Sequence, residues 1–266
     1  MSQPATTQTL DTAEVAALNA RFAGRPPQEL VAWALERFGR RVALSSSFGA
    51  EDVALIDMLW RIDPNARIVT LDTWRLPNET YDLIDRIRAR YGMAIEVFYP
   101  DVKAVDEMVK VAGYNLFYQS VENRKLCCGI RKVEPLGRAL SGLDAWISGM
   151  RRDQVVTRTE IDLVEIDDVH GDIAKLNPLA EWTSEQVWDY IHAHDVPYNA
   201  LHDQGYPSIG CAPCTRAVAP GEDPRAGRWW WELDPTAKEC GIHIGYDLNN
   251  VPYIMRDKEA AAESSA

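Results

Sequence analysis

The stretch Arg41-Val42-Ala43-Leu44-Ser45-Ser46-Ser47-Phe48-Gly49-Ala50-Glu51-Asp52 decides how the chain is read. Its first four residues read as a short buried strand, after which Val53, Leu55, Ile56, Leu59 and Trp60 recur at the spacing of one helix face. Between strand and helix lies a small loop of three serines and a glycine. Such a loop is an anion cradle: backbone N–H groups at a helix start point outward, the helix dipole is positive there, and serine hydroxyls add donors. The same pattern also describes an ordinary N-capped turn, so this stretch alone is weak. Neither G-x-x-x-x-G-K-[ST] nor G-x-G-x-x-G occurs here, which excludes the usual nucleoside-triphosphatase loop and the dinucleotide fingerprint.

The alternation continues on both sides. Upstream, Leu30, Val31, Ala34 and Leu35 predict a helix from about Pro27 to Phe38, with Gly39 as its stop. Downstream come a strand at Arg67–Leu71 with Asp72-Thr73 at its carboxyl end, a helix from about Glu79 to Tyr91, a strand at Ile95–Phe98 and a helix from about Val102 to Val111. Strands alternating with helices predict an α/β fold, a parallel-type sheet flanked by helices on both faces, whose ligands sit at the carboxyl ends of the strands. That rule puts the 45–49 loop and Asp72-Thr73 on one rim. A further strand is expected over 145–149, ending at Met150-Arg151-Arg152-Asp153, and the capping box Thr183-Ser184-Glu185-Gln186 opens a helix to about His194. The organisation expected is a frayed N-terminus over 1–26, a single α/β domain over 27–257 and a flexible tail over 258–266. Within the domain, the segment 205–245 is rich in Gly, Pro and Arg and reads as an ordered irregular stretch over the sheet rim.

Composition narrows the function classes. The 266 residues are 46% hydrophobic and 26% charged, ordinary globular usage, and no stretch approaches a membrane span. A net charge of −12 argues against a nucleic-acid partner, whose footprint would be basic. An anionic ligand must therefore be held by a local patch. Between 124 and 158 there are eight Lys/Arg against three Asp/Glu, a local +5 beside a strand's carboxyl end.

The chain has five cysteines. Cys127 and Cys128 are adjacent, Cys211 and Cys214 form a C-A-P-C pair, and Cys240 stands alone in Glu239-Cys240-Gly241-Ile242-His243. Disulfides are disfavoured, because no secretory signal opens the chain and a cytoplasmic location is expected. Four thiolates in two close-set pairs can converge on one metal centre. Zinc usually takes both pairs as C-x₂₋₄-C, and adjacent ligands crowd a single tetrahedral ion, but spacing leaves zinc and an iron–sulfur group both open. Either way Cys240 is left for chemistry.

Taken together, Cys-Cys-Gly-Ile-Arg-Lys, Gly-Met-Arg-Arg-Asp-Gln, Gly-Cys-Ala-Pro-Cys-Thr, Gly-Arg-Trp-Trp-Trp and Glu-Cys-Gly-Ile-His resemble, in order, the assimilatory adenylyl-sulfate (APS) reductases of the APS/PAPS reductase family. The resemblance runs from about Val42 to His243. It implies an adenine nucleotide alpha-hydrolase-like, Rossmann-like fold and one [4Fe-4S] cluster per chain on Cys127, Cys128, Cys211 and Cys214. It further implies a nucleophilic Cys240, with His243 as donor or orienter. Nucleotide binding carries over onto Ser45, Ser46, Ser47, Phe48, Gly49, Leu71, Thr73 and Gly149. The sulfate and phosphate contacts map to Lys132, Arg158, Arg225, Arg228 and His243. The implied reaction is thioredoxin-dependent reduction of adenylyl sulfate to sulfite and AMP. The Cys240 thiolate attacks sulfur, AMP departs, and an S-sulfocysteine remains. No spare cysteine is left to resolve it, so an external dithiol, thioredoxin in this family, must release sulfite. Oligomeric state stays open, including a homo-oligomer.

One stretch departs from the family pattern. Where Asp-Thr-Gly is common, this chain reads Asp72-Thr73-Trp74, and a glycine serving a φ > 0 turn is not simply replaced by tryptophan. The alternatives are a phosphoadenylyl-sulfate (PAPS) reductase, which usually lacks the four cluster cysteines, and a metal-bearing redox sensor or scaffold, which would not need Cys240 beside a histidine and basic loops. An ATP pyrophosphatase-type adenylating protein would usually carry Ser-Gly-Gly-x-Asp-Ser, which Ser46-Ser47-Phe48-Gly49 does not match.

Overall fold

The computed structural model describes residues 9–154 and 161–232. Six strands form one sheet in the order β3-β2-β1-β4-β6-β5, with β1 (Val42–Ser46), β2 (Arg67–Leu71), β3 (Ile95–Phe98), β4 (Ala145–Ile147), β5 (Val164–Asp167) and β6 (Ile173–Leu176). The first four strands and β6 run parallel, and β5 pairs antiparallel with β6 at one edge. The sheet is thus of the expected parallel type, with helices on both faces. Only the β5–β6 hairpin adds a strand of opposite direction.

Alternation along the strands distributes the core. Val42 and Leu44 of β1 and Ile68 of β2 belong to one buried cluster, together with α2 (Pro27–Phe38), α3 (Ala50–Ile62) and α8 (Ser184–Ala193). Ala43, Val69 and Trp146 point the other way, onto Leu136, Ala139 and Leu140 of α7 (Glu134–Leu140). A period of two, with both faces covered, is what a central parallel strand requires. The remaining helices are α4 (Asn78–Tyr91), α5 (Val102–Ala112) and α6 (Val121–Cys128). A π-helical turn over Gly129–Val133 joins α6 to α7.

The N-terminal expectation needs correcting. Residues 12–22, taken as part of a frayed end, form the helix α1 (Thr12–Phe22). Asp11 caps it by accepting from the Glu14 N–H at 2.8 Å while Glu14 accepts from the Asp11 N–H at 3.0 Å, a closed capping box. Leu18 and Phe22 are buried. Asn19 clamps the edge strand, its Nδ2 donating to the Val164 carbonyl and its Oδ1 accepting from the Val164 N–H, both at 2.9 Å. The α1 helix therefore covers an edge that would otherwise present unpaired backbone.

A third cluster lies away from the sheet and holds the cysteines. Cys127 and Cys214 pack with Met108, Leu116, Phe117 and Trp229. Arg124 of α6, fully buried, meets Glu232 in a two-pronged pair, Nε to Oε1 at 2.9 Å and Nη2 to Oε2 at 3.0 Å. The Arg124 guanidinium also lies 4.6 Å from the Trp229 ring centroid. The pair fastens the last described residues to the helix that ends in Cys127-Cys128. Removing one member leaves the other charged and buried, which costs about 3–5 kcal/mol. Glu232→Ala is expected to lower the unfolding free energy in a denaturant titration by about that amount. A loss under about 1 kcal/mol would show that the pair does not hold this region together.

Candidate active site and cysteine cavity

A cleft of about 430 Å³ opens at the carboxyl ends of β1, β2 and β4, where the parallel sheet directs ligands. Its floor is the 45–49 loop. Asp52, buried in the first turn of α3, accepts from the Ser47 N–H at 2.6 Å and from Ser47 Oγ at 2.8 Å, closing the loop on itself. Burial pushes the Asp52 carboxyl up to about 6, the Ser47 bonds oppose this, and the neighbouring Glu51 charge adds to it. Ser45, Ser46, Ser47 and Gly49 line the cleft. Phe48 does not: its ring is 1% exposed in the core, and its backbone is left-handed at φ 60. Its N–H donates to Ser46 Oγ at 3.1 Å. Phe48 therefore shapes the loop through its buried ring and its backbone.

Gly149, also on the cleft wall, is required by space. A Cβ there would fall 2.4 Å from Asp52 Oδ1 and 2.9 Å from Glu51 Cβ. Leu71 and Thr73 line the same rim from β2. Arg151 holds Glu51 at 2.9 Å from beneath, an interaction invisible to local spacing.

The opposite end of the cleft is cationic. Lys132, Arg225 and Arg228 all border it. Arg228 is only 7% exposed, its guanidinium 4.9 Å from the Trp229 ring centroid. Arg228 Nη1 donates to Ser208 Oγ at 3.2 Å and to the Ile209 carbonyl at 3.3 Å, and its buried Nε has no partner among the described residues. Gly210 permits this placement, since a Cβ there would lie 2.4 Å from Arg228 Nη2.

Behind the cationic end lies a small cavity lined by Cys127, Cys128, Cys211 and Cys214, with Arg75, Arg131 and Lys132 beside them. Helix α6 supplies the first pair and the turn at 212–214 supplies the second. None of these four cysteines forms a disulfide among the described residues. Burial pushes the Cys214 thiol up to about 12, with Cys211 and Cys127 adding to the rise and Lys132 and Arg228 opposing it. Burial likewise raises the Cys127 thiol, helped by Cys211 and opposed by Arg131 and Arg75. Such thiols ionise only when something positive binds them. Among the described residues, no three His, Cys, Asp or Glu side chains are grouped so as to hold a metal ion. The four-thiol donor set and its cationic surroundings nonetheless suit a thiolate-held iron–sulfur group, whose ligands are shared among several irons.

The departing stretch joins the two cavities. Thr73 lines the cleft while its Oγ1 sits 3.2 Å from Cys211 Sγ, and its carbonyl accepts from Arg131 Nη1 at 2.8 Å. Trp74 adopts the φ 57 conformation that a glycine would take easily, with its N–H donating to Asp72 Oδ1 at 2.8 Å and its ring 42% exposed. Tryptophan thus does occupy the turn, supported by Asp72. Arg75 then donates to the Tyr114 carbonyl at 2.6 Å, and its own carbonyl accepts from the Ala212 N–H at 2.8 Å. Arg75, Glu51, Asp52 and Arg151 were not singled out from sequence. Their partners lie far away in the chain or, for Asp52, in a loop whose conformation had to be known. Cys240, His243 and Arg158 lie outside the described residues.

The fold is a mostly parallel α/β sheet flanked by helices, with its cleft at the strand carboxyl ends. The chain belongs to the phosphoadenosine phosphosulfate reductase domain family, which matches residues 41–217. It is 55% identical over 204 residues to an adenosine 5'-phosphosulfate reductase of Burkholderia cepacia, covering 77% of this chain and 81% of that protein. It is 46% identical over 237 residues to an adenosine 5'-phosphosulfate reductase of Pseudomonas aeruginosa, covering 87% of each. Among solved structures, a phosphoadenylyl-sulfate reductase from Candida auris in a phosphate complex superposes with a TM-score of 0.69 at 29% identity, covering 80% of this chain and 100% of that one. The chain is accordingly an oxidoreductase acting on sulfur groups. No helix among the described residues is long and apolar enough to cross a membrane.

The cleft's geometry is tested at Gly149. Gly149→Ala forces a methyl into Asp52 and Glu51, and overpacking of this kind costs about 1–3 kcal/mol. A fall of that size in the unfolding free energy is expected in chemical denaturation, and wild-type stability would show that Gly149 and the first turn of α3 are not in the contact described.

Proposed function

We propose that the protein reduces adenylyl sulfate to sulfite and AMP, with thioredoxin as the reductant, in the cytoplasm. The observation that carries this reading is that four cysteines from two distant segments line one cavity whose wall, through Lys132, is shared with a cleft bearing Arg225 and Arg228. The kinship with proteins named adenosine 5'-phosphosulfate reductase supports the choice of adenylyl sulfate over its 3′-phosphorylated form.

In this reading Ser45, Ser46, Ser47, Gly49, Leu71, Thr73 and Gly149 hold the nucleotide. Lys132, Arg225 and Arg228, with Arg158 and His243, neutralise the phosphosulfate. The nucleophile is Cys240. Its thiolate forms an S–S bond to the sulfate sulfur, the S–O bond to phosphate breaks, and AMP leaves with the electron pair. One thiolate of reduced thioredoxin then attacks Cys240 Sγ and displaces sulfite, and the second thiol resolves the mixed disulfide. Two electrons pass from the dithiol to sulfur. The cationic groups serve both halves of the first step, since they favour a thiolate and stabilise the charge on the departing phosphate.

Cys127, Cys128, Cys211 and Cys214 would hold a [4Fe-4S] cluster, one per chain. When bound it supplies a fixed charge and a structural staple next to Lys132, while the thiol chemistry above is complete without it. Protein purified without oxygen is expected to contain about four iron and four sulfide per chain. Cys214→Ser should lose that iron, because a hydroxyl is a poorer ligand than a thiolate. Stoichiometric zinc without sulfide in active protein would refute the cluster.

The activity is tested by anaerobic sulfite release with reduced thioredoxin, comparing adenylyl sulfate with its 3′-phosphorylated form. Turnover is expected with the former and much weaker turnover with the latter. Arg228→Ala should lower kcat/KM by about 2–4 kcal/mol of transition-state stabilisation, as for loss of a charge-assisted donor in a dry site. A preference for the 3′-phosphorylated nucleotide, or unchanged kinetics in Arg228→Ala, would contradict the assignment.

A further inference from the structure

His202 belongs to no motif and has no assigned role, yet it stands on the wall of the cleft. It follows Asn199 and Leu201 in a tight turn, with its backbone N–H donating to the Asn199 carbonyl at 3.0 Å. Its ring meets the edge of Trp188, another cleft residue, at a centroid distance of 5.1 Å and an interplanar angle of 84°. Neither ring nitrogen has a hydrogen-bond partner among the described residues, and both are closed off from water. The Tyr206 carbonyl lies near enough to favour a ring proton electrostatically, but not at hydrogen-bonding geometry. Burial holds the ring toward its neutral form, and the Glu51 and Asp203 carboxylates pull weakly the other way.

Buried polar atoms without partners are uncommon in a folded protein and call for a physical reason. Here the polar atoms belong to a ring that lines the cleft and meets the edge of another lining residue, Trp188. A neutral imidazole offers one donor and one acceptor on opposite sides. That pattern suits an uncharged group able to do both. The anionic tail of a ligand is drawn to Lys132, Arg225 and Arg228 on the cleft wall and is repelled by Glu51, whose charge acts on His202.

We propose that His202 is a nucleoside-binding residue: on ligand entry its ring hydrogen-bonds an uncharged donor–acceptor group of the nucleotide, a ribose hydroxyl or the adenine edge, and so selects for the nucleoside and not for the phosphosulfate. The proposal rests on the nucleotide reading of the cleft given above. His202 gains in the complex the partner it lacks in the free protein, so its contribution appears in binding and not in the chemical step.

The test is a binding cycle on the full-length protein by calorimetry, with AMP, 2′-deoxy-AMP, 3′-deoxy-AMP, purine riboside monophosphate lacking the 6-amino group, and adenosine. AMP that fails to bind wild-type protein refutes the nucleotide reading itself. If AMP binds, His202→Ala is expected to weaken it about 5- to 50-fold, the range for one hydrogen bond at a shielded site. The penalty should persist with adenosine, while at least one of the other three analogues, already lacking the group, loses little more in the variant. His202→Asn, which keeps a donor and an acceptor, should recover part of the AMP affinity. Equal penalties across all three group-deleted analogues, or a penalty that vanishes with adenosine, overturn the proposal. Thermal melts of both variants complete the test: if neither folds, His202 is a structural residue and the proposal fails.

Discussion

The buried pair between Arg124 and Glu232 is the constraint on which the functional region depends. A fully buried guanidinium and a nearly buried carboxylate are stable only together, and here the geometry is two-pronged, with Trp229 stacked on the arginine. The consequence is positional. Arg124 sits one turn before Cys127-Cys128, and Trp229 donates its N–H to the Cys214 carbonyl at 3.2 Å, so one interaction sets two cysteine pairs from distant segments around a single cavity. The same chain of contacts places Arg228, the residue before Trp229, on the wall of the cleft.

From there the site is a matter of shared walls. Lys132 borders both cavities, and Thr73 faces the cleft while touching Cys211. A change of charge among the four sulfurs is therefore felt at the cationic end of the cleft over one or two residues. In the proposed function, this proximity is the reason a cysteine-held group would be built into an enzyme whose electrons come from a dithiol. Such a group would supply charge and rigidity at the place where the proposed reaction neutralises phosphosulfate.

Much of this was legible in the sequence because the chemistry is local. The βα alternation shows in hydrophobic periodicity, and the rim position of the 45–49 loop and of Asp72-Thr73 follows from the rule that ligands sit at strand carboxyl ends, while Leu71 and Gly149 came from the family resemblance. The β5–β6 hairpin was not legible, since Glu165, Asp167 and Lys175 interrupt its apolar pattern. Those charges are paired mostly within the hairpin, Lys175 with Glu165 at 3.1 Å and Asp167 with His170 at 2.8 Å, while Trp146 of β4 also meets Asp167 at 2.8 Å. Helix α1 did carry a local signal, the box formed by Asp11 and Glu14. The conformation of Trp74 and the unpartnered ring of His202 could not be read at all, because each depends on partners set by the tertiary structure.

The central claim is that Cys240 is the nucleophile and the other four cysteines are ligands. It is tested most directly by intact-mass and peptide mass spectrometry of the protein after a single exposure to adenylyl sulfate without any dithiol. The account predicts one equivalent of AMP released and a gain of one SO₃ unit on the peptide that contains Cys240, removed as sulfite when reduced thioredoxin is added. A gain on the peptide carrying Cys127 and Cys128 or on that carrying Cys211 and Cys214, or continued AMP release with no adduct on Cys240, would contradict it.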